Sequence, residues 1–254
     1  MSQIIAIHSY RRGTGKSSLA VNLAVLFAAA GKRIGLIDAS LQYPSLHLPF
    51  RLQASKMGCF LNDYLDNNCT IEQTVQDVTG RLDVDLKGKV FLIPADTKLD
   101  EFNFARKQFP AERMENGILN ISEILALDHL FIDTPAGIND NALLSMAICD
   151  TLLEVLRLDQ QDYQGTAVIL ELARKLAIPQ IFLVANFVTK TYRPKTIRVQ
   201  LQQSYGFDVA AILPNSENMV NSSLRDIFVL TFPQHPFTVS LRHLVTQLGD
   251  YTPQ

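Results

Sequence analysis

Residues 9–18 read SYRRGTGKSS, between an apolar run, Ile4, Ile5, Ala6 and Ile7, and a long apolar stretch from Leu19 to Ala30. Strand, glycine-bearing loop and helix in that order are what a phosphate-binding loop requires. Gly13 and Gly15 let the backbone turn its N–H groups inward around phosphate oxygens. Arg12, Thr14 and Ser18 belong to the same cradle. Lys16 reaches the outer phosphates as a point charge, and Ser17 can place its hydroxyl on Mg²⁺. The helix behind the loop adds the positive end of its dipole. The strict GxxxxGK[ST] form is not met, because Tyr10 stands where the first glycine belongs, and a second cation, Arg11, lies five residues before Lys16.

Two carboxylates fall where such a loop needs them. Asp38 ends the run RIGLIDAS. A carboxylate at the C-terminal end of a parallel strand faces the crevice where ligands bind, so Asp38 is expected to order an attacking water or hold a Mg²⁺-bound one. Asp133 ends LFIDTPAG, with Gly137 four positions on. In that pattern Asp133 would hold Mg²⁺ through water, and the backbone N–H of Gly137, or one next to it, would sense a γ-phosphate. Asn186 ends IFLVANF, where an amide can read an adenine edge by donating and accepting at once. Pro214 and Asn215, in ILPNSEN, then form the loop on the other side of the base. A strand-end Asn is equally a routine turn residue, and both readings of Asn186 stay open.

The elements that position these groups follow from hydrophobic patterning. Strands are expected at 4–7, 33–38, 90–93, 130–133, 152–156, 181–185 and 209–213. Helices are expected at 16–30, 139–147, 161–177, 194–204, 216–226 and 237–248. Short helical pieces fall near 58–65 and 71–78, and a polar helical region spans 100–126. Alternation of this kind gives an α/β fold with a mostly parallel β-sheet flanked by helices on both faces. At 254 residues, with no linker or repeat, the chain reads as one domain over 1–254.

Composition narrows the setting. A net charge of −2 gives no global pull toward nucleic acid or acidic membrane, so any such contact must be a local patch. Cys59, Cys69 and Cys149 are odd in number and lack metal spacing, which suits reduced thiols in a cytoplasmic protein. The N-terminus runs straight into a strand, leaving no room for a signal peptide. No apolar run reaches the roughly 18 residues of a spanning helix.

Over nearly its whole length the chain resembles the MinD/ParA group of deviant Walker A P-loop ATPases. That group shows a KGGxGK[ST] loop, a strand-end Asp and a DxPAG or DxPP switch in this order. The resemblance places Arg11 and Arg12 at the family's loop lysine and glycine. Lys16 falls on the nucleotide-binding lysine, Ser17 on the Mg²⁺ hydroxyl, Asp38 on the water-ordering aspartate and Asp133 on the switch aspartate. It implies an ATP- and Mg²⁺-dependent sandwich homodimer that positions or partitions cargo and is released when a partner protein stimulates slow hydrolysis. The signature lysine, which reaches the other subunit's nucleotide, is Arg11 here, longer and planar. Some members, including carboxysome-positioning ones, take that cation from elsewhere, and Arg157, just after the fifth strand, is the candidate. Ser40 stands at a second acidic position that varies in the family.

The family's two surface modes leave different traces. A membrane-binding C-terminal helix needs several basic residues on its polar face. Residues 237–254 offer only Arg242 and His243 beside the apolar face of Phe237, Leu241, Leu244, Val245 and Leu248, so docking on the protein's own core is expected. Nonspecific DNA binding would use Lys190, Arg193, Lys195 and Arg198 around Tyr192, with Arg225. Redox and metal-carrier relatives need paired or C-x-x-C cysteines, which are absent, and tyrosine kinases of this fold carry a C-terminal tyrosine cluster where this chain has Tyr251 alone. Two alternatives stay open: a MinD-like membrane-associated regulator, and a regulatory relative that binds nucleotide without turnover, against which Lys16, Ser17, Asp38 and Asp133 all argue.

Overall fold

Strands that are apolar on both faces need cover on both faces, and the fold supplies it. The computed structural model describes residues 2–96, 110–218 and 227–249. The strands are β1 (Gln3–His8), β2 (Arg33–Asp38), β3 (Gln76–Asp77), β4 (Lys89–Ile93), β5 (His129–Asp133), β6 (Thr151–Leu156), β7 (Gln180–Val188) and β8 (Asp208–Pro214). The helices are α1 (Lys16–Ala29), α2 (Leu61–Leu65), α3 (Ile71–Thr74), α4 (Ala111–Ile124), α5 (Asp140–Ala147), α6 (Gln160–Lys175), α7 (Pro194–Tyr205), α8 (Phe228–Thr231) and α9 (Pro236–Gly249). One sheet carries all eight strands in the order β3-β4-β2-β5-β1-β6-β7-β8. Every pairing is parallel except β3 with β4.

Side chains alternate between the two faces. Ile5, Ile7, Leu36, Leu153 and Val155 join one core with α1, α8 and α9. On the other face Ile37 and Ile132 pack with α2 and α4, Ala6 and Leu152 with α5 and α6, and Leu156 and Leu183 with α6 and α7. Helix α1 is buried almost all round because it lies between the sheet and α9. That position explains its long apolar run. Its one polar interruption, Asn22, accepts the Val229 N–H at 2.9 Å and donates to the Ser18 carbonyl at 2.7 Å, so it ties α8 to α1.

The register sets the geometry of the site. Ile7 and Asp38 both lie opposite Asp133, so β1, β2 and β5 end together at one edge. The order β2-β5-β1-β6 places the loop after β1 between the two strands that follow it in space.

Several boundaries differ from the sequence expectation. The helix expected at 71–78 stops at Thr74, and Gln76–Asp77 turns into an antiparallel edge strand against Phe91 and Leu92. Only Leu61–Leu65 of the piece at 58–65 is helical, started where the Asp63 carboxylate accepts the Phe60 N–H at 2.9 Å. The region at 100–126 contains α4 from Ala111, while its residues 100–109 lie outside the described residues. The helix expected at 216–226 falls mostly on 219–226, also outside them. Helix α8 was not expected. The strand expected at 181–185 runs on to Val188, with irregular pairing against β8 after Ala185.

Helix α9 docks on the protein's own core, with Phe237, Leu241, Leu244 and Leu248 buried against α1 and β8. Among the described residues no helix is long and apolar enough to cross a membrane. Leu244→Ala should therefore act as a core truncation, lowering stability by about 2–5 kcal/mol. Urea unfolding checks this, and a loss under about 1 kcal/mol would show that α9 is not part of the core.

Candidate nucleotide-phosphate site

The loop from Ser9 to Gly15 joins the end of β1 to the start of α1. Gly13 and Gly15 have φ of +75° and +93°, in the left-handed region that other residues adopt at a cost. Gly15 is also fixed by space, since a Cβ there would sit 2.4 Å from Asn186 Nδ2. Lys16 opens α1 and is only 9% exposed. Its ammonium donates to Ser9 Oγ at 3.0 Å, and Ser9 Oγ donates to the Arg11 carbonyl at 2.6 Å. Lys16 thus folds back over its own loop. The Gly137 N–H donates to the Ser9 carbonyl at 3.0 Å, which brings the segment after β5 against the phosphate loop. Ser18 faces solvent, and Thr14 is buried.

The Ser17 hydroxyl donates to Asp133 Oδ2 at 2.5 Å, while Asp133 Oδ1 is buried without a partner. A hydroxyl and a carboxylate with an orphaned oxygen form a donor set that suits a hard divalent cation. Among the described residues no three His, Cys, Asp or Glu side chains gather as a ready metal cage. Ser17, Asp133 and the oxygens of a bound phosphate would have to supply the ligands together. Asp38 is wholly buried and accepts backbone N–H groups from Ser45 (2.8 Å), Leu46 (3.0 Å) and Ser40 (3.3 Å). Its own following loop encloses it.

The electrostatics are those of a desolvated acidic edge. Burial raises the Asp38 carboxyl above the usual carboxylate range, and the neighbouring Asp133 raises it further. Burial also raises Asp133, opposed by Lys16 and the Ser17 hydroxyl. Burial lowers the Lys16 ammonium, opposed by Asp133 and Glu154.

Glu154 was missed in the sequence, although a lone carboxylate inside the apolar strand TLLEVL is a signal. It is wholly buried opposite His8 in the β1–β6 register, and neither of its oxygens has a hydrogen-bond partner. The Tyr10 N–H, the Thr166 hydroxyl, Lys16 and Asp162 surround it, and burial pushes its carboxyl well above the ordinary range. His8 meets Thr134 Oγ1 at 2.6 Å through Nδ1, and burial followed by Lys16 pushes its ring down to about 3.

Arg11 does not point into the loop. Its Nε donates to Asp162 at 2.5 Å, Nη2 to Asp159 at 2.5 Å and Nη1 to Gln161 at 2.7 Å. The Asp162 side chain is 2% exposed and also accepts the Arg157 N–H at 2.8 Å. Asp159 caps α6 by accepting the Asp162 N–H at 3.0 Å. Tyr10 lies against the same helix at Gly165, where a Cβ would come within 2.0 Å of its ring. The front of the loop is therefore fastened to α6 by residues some 150 positions away, a pairing that no local pattern announces. Arg12 takes the other side, donating to Gln42 at 3.3 Å with its guanidinium 3.6 Å from the centre of the Tyr43 ring. Arg157 is exposed, 5.4 Å from the Phe187 ring centre.

Asn186 stands at the back of the loop. Its NH2 donates to the Thr14 carbonyl at 2.8 Å, and its Oδ1 accepts the Phe187 N–H at 2.8 Å. In this arrangement the amide braces the loop, with both of its functions occupied, instead of facing a base. Pro214 ends β8 beside Val188, and Asn215 is exposed just past it, its N–H on the Val188 carbonyl. Lys190, Tyr192, Arg193 and Lys195 are exposed together, whereas the Arg198 guanidinium is held on the Val209 carbonyl. Arg225 lies outside the described residues.

Glu154 carries a stability signature with a definite sign. A carboxyl whose folded pKa is raised destabilises the fold as pH climbs above the unfolded value. Glu154→Gln removes that penalty. Its advantage over the wild type should be small at pH 5 and should grow toward pH 8 by on the order of 1 kcal/mol per pH unit until the folded pKa is passed. Urea midpoints at the two pH values check this, and an equal gap at both would mean that Glu154 does not titrate in that window.

Residues 5–229 match the family model for the CobQ/CobB/MinD/ParA nucleotide binding domain. An uncharacterized ATP-binding protein of Methanocaldococcus jannaschii is 24% identical over 249 residues, which is 98% of this chain and 88% of that protein. The fold is similar to that of MinD in the MinC:MinD cell division complex of Aquifex aeolicus, with a TM-score of 0.81, 19% identity, and cover of 100% of this chain and 98% of that one. It is also similar to a Cyanothece McdA variant in complex with ATP, with a TM-score of 0.78, 17% identity, and cover of 100% and 98%. The family match fits the left-handed glycines, the buried lysine and the two strand-end aspartates, and the chain belongs to the CobQ/CobB/MinD/ParA nucleotide-binding family, among the MinD/ParA-type P-loop ATPases.

Proposed function

We propose that this protein is a slow, ATP-driven dimerisation switch that positions or partitions cargo and is reset when a partner protein stimulates hydrolysis. The observation that carries this reading is the convergence of Lys16, Ser17, Asp38 and Asp133 on one loop at the shared end of β1, β2 and β5. The ATP phosphates would lie on residues 11–18, with N–H groups of the loop turned toward them, and for Gly137 to sense a γ-phosphate its N–H would have to leave the Ser9 carbonyl. Lys16 leaves Ser9 Oγ for the outer phosphates. Mg²⁺, when bound, would rest on Ser17 and, through water, on Asp133, and supplies neutralisation of charge on the phosphate oxygens. Asp38 then orients water for in-line attack through Oδ1, whose one described donor is the long Ser40 N–H, while Oδ2 keeps the N–H groups of Ser45 and Leu46. Catalysis of this kind is positioning plus electrostatics.

Two subunits would close face to face over two nucleotides. For Arg11 to act across that interface it must leave Asp159 and Asp162, whereas Arg157 is already exposed. A cytoplasmic, nucleoid-associated setting is the one that the basic cluster of Lys190, Arg193 and Lys195 supports, through phosphate contacts that weaken with salt. The membrane reading gains nothing from α9, whose apolar face is spent on the core.

Light scattering on the Asp38→Ala protein should show a dimer with ATP and a monomer with ADP, with turnover at least about 100-fold below the parent. Lys16→Ala should abolish nucleotide binding in either state. Titrating the ATP-loaded dimer with duplex DNA and with anionic liposomes then separates the two surfaces. A protein that binds ATP yet stays monomeric would sink the switch reading in favour of a regulatory nucleotide binder, and parental turnover by Asp38→Ala would remove Asp38 from its role.

A further inference from the structure

The loop carries two adjacent arginines, and the structure treats them in opposite ways. Arg11 is spent. Its Nε, Nη1 and Nη2 donate to Asp162, Gln161 and Asp159, and two carboxylates lie against its one charge. It offers little field to an anion in the loop. Arg12 is exposed, and the partners that hold it are neutral: the Gln42 amide oxygen at 3.3 Å and the face of Tyr43 at 3.6 Å. A guanidinium stacked by its face keeps its in-plane donors free along the edge.

Position matters as much as charge. Gln42 and Tyr43 belong to the loop that wraps Asp38, whose N–H donors are Ser40, Ser45 and Leu46. Arg12 therefore spans the mouth of the site, from the phosphate loop to the Asp38 loop. Arg12, exposed and with no carboxylate among its described contacts, carries uncompensated positive charge at this mouth, on the side where the outer end of a phosphate chain would lie. A triphosphate would reach one phosphate further toward that point than a diphosphate, and its terminal group, bearing roughly two negative charges, is one that a planar fork can grip in two bonds.

We propose that Arg12 is the loop cation that meets the terminal phosphate of a nucleoside triphosphate, with Tyr43 holding its guanidinium in place, and that Arg11 is a clamp fastening the loop to α6. This rests on the nucleotide reading of the site given above. It assigns triphosphate-over-diphosphate selectivity to a residue that stands where the resemblance puts a family glycine.

The test measures binding of ADP and of a non-hydrolysable ATP analogue, both fluorescently labelled, to the wild type, Arg12→Ala, Arg12→Lys, Tyr43→Ala and Arg11→Ala. Arg12→Ala should weaken triphosphate binding about tenfold and change ADP binding less than about twofold. Arg12→Lys should recover part of the selectivity, and Tyr43→Ala should lose part of it. Arg11→Ala should weaken both nucleotides alike and lower the melting temperature. An Arg12→Ala protein whose ratio of the two affinities is unchanged, or whose affinities fall equally, overturns the proposal, as does loss of selectivity in Arg11→Ala alone. A wild type that binds neither nucleotide overturns the nucleotide reading itself, and with it this one.

Discussion

Lys16 is the cation on which the acidic end of the sheet depends. Asp38, Asp133 and Glu154 are all buried at that end, the two aspartates side by side in the β2–β5 register and Glu154 beyond β1 opposite His8, and Lys16 bears on Asp133 and Glu154 directly. One ammonium cannot satisfy three carboxylates out of water, so the chain uses weaker devices for the rest: backbone N–H groups on Asp38, a hydroxyl on Asp133, and on Glu154 a proton affinity raised by burial. The devices are unequal, and the inequality carries meaning. Asp133 keeps one oxygen with no partner although a lysine and a serine are at hand. A buried oxygen left open beside a hydroxyl suits an incoming cation, and a cation there would lower the proton affinity of both aspartates while Lys16 turned to phosphate.

The loop is preorganised because each of its ends is fastened to something rigid. At the front, Tyr10 rests on Gly165 and Arg11 on the first turn of α6. At the back, Asn186 holds Thr14 and fills the space beside Gly15. Residues 12 and 13 lie between the two anchors. A loop held in this way loses little freedom when phosphate arrives. It also shows why Tyr10 can replace the glycine of the strict motif. The aromatic ring does not crowd the phosphate cradle because a glycine on a distant helix makes room for it.

What the sequence discloses is what lies close along the chain. The loop, Asp38 and Asp133 were legible because each is a short pattern ending an apolar run, and a parallel sheet brings strand ends together. The helices on both faces followed from the same alternation. Contacts closed by tertiary structure were not legible. Arg11 and its acidic partners are separated by most of the chain, and reading Arg11 alone suggested a cation free to reach outward. Asn186 at a strand end said nothing about whether its amide faced a base or a loop carbonyl. The edge strand β3 was lost to a helical period because its two residues take their conformation from pairing with β4.

Asp38 is the most enclosed carboxylate of the site: Oδ2 accepts the Ser45 and Leu46 N–H groups and Oδ1 only the longer Ser40 N–H, so the acceptor capacity left for a water lies mainly on Oδ1. The link that reaches residues 40–46 from the phosphate loop is Arg12 through Gln42 and Tyr43. The Gln42 hydrogen bond is long and its acceptor is uncharged, so an anion is the stronger competitor for the same donors. Tyr43 shares its short loop with all three N–H donors, so movement at the stack is movement at the Asp38 enclosure. The phosphate loop and the Asp38 loop thus meet at one side chain. The sheet register holds Asp38 opposite Asp133 independently of that contact.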